Sequence, residues 1–127
     1  MTTLSSRPEG AVALPGVLLG RAAAVLALGS AVVHLLLLDP STLGSLAMLA
    51  MALVCLPCAW HLWRHPTGSV WAVTATVDAA MLVLHAQMLA PTGHAHATAS
   101  GPGALMWSGL GLVVAQLLLA GLAAVRR

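Results

Sequence analysis

Four apolar runs dominate this 127-residue chain, each close to the roughly 20 residues that a helix needs to cross a hydrocarbon core. They extend from Val17 to Leu38, Leu43 to Trp63, Val70 to Leu89 and Ala104 to Val125. The segments between them are built from turn formers: Asp39-Pro40-Ser41-Thr42, Arg64-His65-Pro66-Thr67-Gly68, and the stretch from Pro91 to Gly103. Short connections make successive helices antiparallel neighbours. The expected fold is therefore an all-α integral membrane protein, an antiparallel four-helix transmembrane bundle. Residues 1–15, with Thr, Ser, Pro and Gly and little to bury, are expected to form a disordered cytoplasmic tail, leaving residues 16–127 as a single membrane domain.

Charge supports the same reading and gives it a direction. Charged residues make up 6% of the chain against 60% apolar, where a soluble domain carries about 25% charged residues. Such a surface cannot be covered in water, and the lipid bilayer is the expected partner. The charges are Arg7, Arg21, Arg64, Arg126 and Arg127 against Glu9, Asp39 and Asp78. The arginines fall in the N-terminal tail, the second loop and the C-terminal tail, with Arg21 able to snorkel from the start of the first run. The positive-inside rule then places both termini in the cytoplasm. Trp60, Trp63 and Trp71 flank the second loop as an inner aromatic belt, and Trp107 marks the opposite end. Five scattered arginines build no nucleic-acid face. Phe, Tyr, Ile, Lys and Asn are absent, the signature of a GC-rich bacterial genome, so the expected location is the bacterial cytoplasmic (inner) membrane. The first run is too long for a signal peptide and lacks a convincing cleavage site.

Polar and soft residues recur within these runs at helical spacing. Met48, Met51, Cys55 and Cys58 lie three, four and three residues apart, the seam that a helix turns toward a partner. The third run repeats the pattern with Asp78, Met81, His85 and Met88, extended backwards by Thr74 and Trp71. Met106, Gly109 and Gln116 share a seam on the fourth helix, and Gly20, Ala27, Ser30 and His34 nearly do so on the first. In lipid such residues turn inward, because a polar group facing hydrocarbon finds no partner. At a rise of about 1.5 Å per residue, His34, Met48 and His85 lie roughly 6 to 8 Å below the outer surface, and Met51 and Met81 roughly 12 to 14 Å. Cys55, Asp78 and Gln116 share a layer near mid-membrane, with Cys58 beneath it. Methionine at helical spacing is ordinarily adaptable core filler and buried cysteine a small hydrophobe. Asp78 and His85 differ, since ionisable groups are costly in lipid and mark function by default.

Thioether, thiolate and imidazole together select Cu(I) before the hard, oxygen-seeking cations. The expected ligands are His34, Met48 and His85 as an outer site, Met51 and Met81 one layer below, and Cys55 and Cys58 as the inner acceptor. Met88 lies above the outer site, and His94 and His96 in the third loop form a capture element. Asp78 is a further functional candidate. This resembles the chemistry of methionine-lined copper importers, with Met48-Leu-Ala-Met51 in place of their Met-x-x-x-Met spacing. A second reading is a haem b protein with His34 and His85 as axial ligands. A third is a non-catalytic accessory subunit of a larger, respiratory-type membrane complex, or a homo-oligomer, docking through Gly20, Ala24, Ala27 and Ala31. Cys55-Leu-Pro-Cys58 is also similar to the dithiols of four-helix quinone-linked disulfide-forming proteins, but it falls deep in the membrane and has no second pair to relay electrons. The chain carries no nucleotide-binding motif, so any transport is expected to be passive or driven by a partner, and binding or passage is favoured over catalysis.

Overall fold

The computed structural model describes residues 10–39, 44–89 and 103–126, with side chains from residue 16 onward except those of residues 88 and 89. It is all-helical: α1 (Gly10–Leu36), α2 (Gly44–Arg64), α3 (Gly68–Leu89) and α4 (Ala104–Val125). Each helix contains a segment long and apolar enough to cross a membrane, and only 28–39% of the residues in those segments are buried inside the bundle. The rest of the surface is therefore apolar, with Leu18, Val25, Leu46, Leu53 and Leu118 all more than half exposed. Water would not tolerate that surface, whereas hydrocarbon matches it.

Helix ends follow from the breakers. The α2–α3 turn is closed by the His65 N–H donating to the His61 carbonyl (2.8 Å), while the Thr67 carbonyl accepts the Trp71 N–H (3.1 Å). Thr67 also caps α3 through its hydroxyl, which accepts the Val70 N–H at 3.4 Å. After α1, the Ser45 hydroxyl and the Asp39 backbone bond to each other, tying the first turn of α2 back to the end of α1. At its start α1 departs from the sequence reading. It begins at Gly10, upstream of Val17, so residues 10–15, expected in the disordered tail, are helical. Their Ala, Val and Leu content explains this, and residues 1–9 lie outside the described part.

Each helix packs against two neighbours, α1 on α2, α2 on α3, α3 on α4 and α4 on α1, so α1 and α3 face each other across one diagonal. Small residues set the closest seams. Buried on α1 are Ala23, Ala24 and Ala27, which meet Ala59 and Leu62 of α2 and Ala120 and Ala123 of α4 in one core, and Ala31, which packs with Met51 and Cys55 of α2 and Met81 of α3 in another. The Gly20–Ala31 stripe read as a docking face for a larger complex is thus consumed inside the bundle, because small residues let the helix backbones approach. Gly20 is the tightest point: a Cβ there would stand 2.7 Å from both the Leu62 carbonyl oxygen and the Pro66 Cβ. Gly20→Ala should cost about 1 to 3 kcal/mol by overpacking. Thermal unfolding in mild detergent checks this, with Gly111→Ala as the control, since nothing lies within 4 Å of a Cβ at that glycine.

Candidate functional site

The polar side chains of the four helices converge on the bundle axis and sort by depth. Because Gly20 abuts Leu62 and Pro66, the near end of α1's packed segment is level with the α2–α3 turn. Counted from that end at 1.5 Å per residue, Cys58 and Thr74 lie about 9 Å up, and Ser30, Cys55, Asp78 and Gln116 about 14 to 15 Å. Met51 and Met81 follow at about 20 Å, then His34 and His85 at roughly 21 to 26 Å. The middle layer thus draws one polar residue from every helix. All ten of these residues are buried.

The uppermost layer is an imidazole pair. His34 of α1 and His85 of α3 meet across the diagonal with ring centroids 5.7 Å apart and planes inclined at 65°. Each ring is oriented by its own helix. The Nδ1 of His34 donates to the Ser30 carbonyl one turn back (2.7 Å), and the Nδ1 of His85 donates to the Met81 carbonyl (2.8 Å). A carbonyl can only accept, so Nδ1 carries the proton and a neutral ring keeps its lone pair on Nε2. That is the arrangement by which proteins fix the tautomer of a metal-binding histidine. The Nε2 of His34 is buried and has no hydrogen-bond partner. An imidazole–metal bond is about 2 Å, so two rings sharing one ion stand with their centres roughly 6 Å apart, the spacing of this pair.

Immediately inward, Met51, Met81, Cys55 and Ala31 pack into one cluster. Cys55 and Cys58 are free thiols. Ser30 and Asp78 adjoin Cys55, and Thr74 and Asp78 adjoin Cys58. In this region Asp78 Oδ2, Gln116 Oε1 and Thr74 Oγ1 are buried without a hydrogen-bond partner. Unpartnered buried oxygens are rare, since each forfeits its hydration. They line a polar column within an otherwise apolar bundle.

Of the residues expected in the site, His34, His85, Met51, Met81, Cys55 and Asp78 are buried in this column, and Cys58 is at its edge, where it also lines an open groove between α2 and α3. Met48 is only half-buried, at the rim rather than in the interior. The Met88 side chain, His94 and His96 lie outside the described residues. Among the described residues, no three of His, Cys, Asp and Glu gather into a metal-binding group. The imidazoles of the column, among the described residues, are this pair, with the thioethers of Met51 and Met81 one layer below. The role of Ser30 was not evident from sequence, because its carbonyl is the shorter partner of the His34 Nδ1, at 2.7 Å, with the hydroxyl at 3.5 Å. No family profile matches the chain, and no curated protein and no solved structure is significantly similar to it.

Proposed function

We propose that this chain is a small bacterial inner-membrane protein that binds Cu(I) between His34 and His85 and passes it inward along Met51, Met81, Cys55 and Cys58. The observation that carries this reading is the oriented imidazole pair, one Nε2 of which is buried without a partner. Cu(I) is content with two to four soft ligands, so two imidazoles and a thioether suffice. Below the pair the ligands grow softer, from thioether to thiol, and this order favours inward movement. The neighbouring Asp78 carboxyl adds an acidic group where a cation would otherwise cross hydrocarbon unaided.

Haem b at the same histidines is less well supported. A porphyrin is far wider than the ring pair, and its lower half would have to displace the packed layer of Ala31, Met51 and Met81. The accessory-subunit reading loses its docking stripe to internal packing. Metal analysis and an absorption spectrum of the protein purified in mild detergent after Cu(I) loading test the proposal. One Cu(I) per chain without a Soret band is expected. A Soret band would select haem, and neither signal would leave the histidines as a packing contact.

The proposed orientation puts both termini in the cytoplasm, on the distribution of the arginines. Single cysteines in a background lacking Cys55 and Cys58 check it in intact cells. One at Thr98 should react with an impermeant thiol reagent and one at Ser5 should not. Labelling at Ser5 would reverse the orientation and, with it, the direction of metal movement.

A further inference from the structure

On the outer surface of the bundle, α1 and α2 form an open groove of about 630 Å³ lined by Ala24, Leu28, Leu56, Pro57, Trp60 and Trp63. Its wall is apolar along most of its length. Its end nearest the α2–α3 turn is different. There the Arg21 guanidinium lies over the Trp63 ring at 5.3 Å from the centroid, and that of Arg64 over the Trp60 ring at 4.5 Å. Both tryptophans that line the groove therefore carry an arginine, one from each helix. We propose that this groove is a binding site for an anionic phospholipid, whose acyl chain lies against Leu28, Leu56 and Pro57 and whose phosphate is held by Arg21 and Arg64.

Three features argue for that occupant. A guanidinium stacked by its face keeps its edge N–H groups free, and those donors match phosphate oxygens. The arginines also have no carboxylate close at hand among the described acidic residues, since Asp39 lies beyond the far end of α1 and Asp78 is inside the bundle. The site therefore presents two positive charges where a headgroup phosphate sits at the membrane interface. Finally, the groove is walled by indole and leucine side chains, with Trp60 and Trp63 about half exposed. A helix-docking face instead uses exposed small residues that admit a second backbone, whereas the two alanines lining this groove, Ala24 and Ala59, are buried in the core between α1 and α2. Tryptophan at the interfacial level, with arginine beside it, suits a lipid whose body is apolar and whose head is charged.

The inference does not depend on copper binding. It is tested by native mass spectrometry of the full chain released from mixed micelles of phosphatidylglycerol and phosphatidylcholine with identical acyl chains. The wild-type protein should retain phosphatidylglycerol in preference, and the preference should fall with added salt. An arginine near an anionic surface contributes roughly a fivefold preference, so the double variant Arg21→Gln/Arg64→Gln should lose about thirtyfold. Arg126→Gln, at the end of α4, should lose none of the groove-bound lipid. Leu28→Trp keeps both arginines and fills the groove, so it should displace the lipid even if the double variant fails to fold. Equal retention of the two lipids, or wild-type retention of phosphatidylglycerol by Leu28→Trp, overturns the proposal. So does a dimer in mild detergent that Leu28→Trp dissociates, because a second copy then occupies the groove.

Discussion

Purified His85→Ala protein should lose Cu(I) affinity by on the order of a hundredfold or more, since even the groups that merely orient a metal ligand are worth 10- to 100-fold. His34→Ala should do the same. Each replacement removes one of the two imidazoles that the described residues bring together at that depth and leaves the other beside the thioethers. Neither ring bonds to another helix, as each Nδ1 donates within its own helix. The fold should therefore survive, which circular dichroism in detergent can establish alongside a Cu(I) competition titration. Met51→Leu and Met81→Leu conserve volume and should weaken affinity less, without loss of stability. Met48→Leu should weaken it least, because that side chain is at the rim. Cys55→Ser should leave binding at the pair intact and stop passage into proteoliposomes. A haem site would answer differently: both histidine variants would lose a Soret band, and the methionine and cysteine variants would not. Unchanged metal content across the whole set would reduce the column to packing.

The spans were legible because lipid imposes a length, and the α4 limits read from hydropathy coincide with the helix itself. The end of α3 at Leu89 also coincides, the start of α1 moved by seven residues, and the remaining boundaries moved by one or two where hydropathy cannot sense helix geometry. For example, α1 ends at Leu36 although Leu37 and Leu38 are equally apolar. Which face turned inward was legible only from the polar residues. In water, an apolar stripe marks the core, but here lipid-facing and core-facing positions are both apolar. The distinction becomes one of size, Ala23, Ala24 and Ala27 inside against Val25, Leu28 and Val32 outside. That same smallness invited the mistaken reading of α1 as a surface for a partner. The Met48 departure has a geometric cause: Met48 lies only four residues from the start of α2, close to the end of the bundle, where fewer side chains of neighbouring helices cover it. Met106, the third residue of α4, is half-buried for the same reason. The pairing of His34 with His85 could be anticipated from depth alone. Its closeness depends on α1 and α3 being diagonal partners, and four short-looped helices can be ringed in more than one order.

Asp78→Leu should make the protein more stable and, at the same time, inactive in metal passage. The carboxyl is 3% exposed, and its Oδ2 has no hydrogen-bond partner. Removing it breaks no observed bond from that oxygen, and leucine fills the space with apolar atoms. Buried polar groups without partners cost about 1 to 3 kcal/mol each, so relief of that order is expected as a rise in the unfolding midpoint of several degrees. Groups that are retained against such a cost are characteristic of functional sites. Cu(I) should still bind between His34 and His85, which lie well above this layer, while Cu(I) accumulation in proteoliposomes should fall to the level of empty vesicles. Asp78→Asn separates charge from polarity: if an acidic group is what draws the ion past the thiols, the amide should also fail in passage while gaining little stability. The opposite outcome for Asp78→Leu, unfolding or failure to accumulate in the membrane, would mean that the carboxyl ties the helices together. Asp78 would then be a structural residue, and the middle layer would contribute nothing specific to the movement of copper.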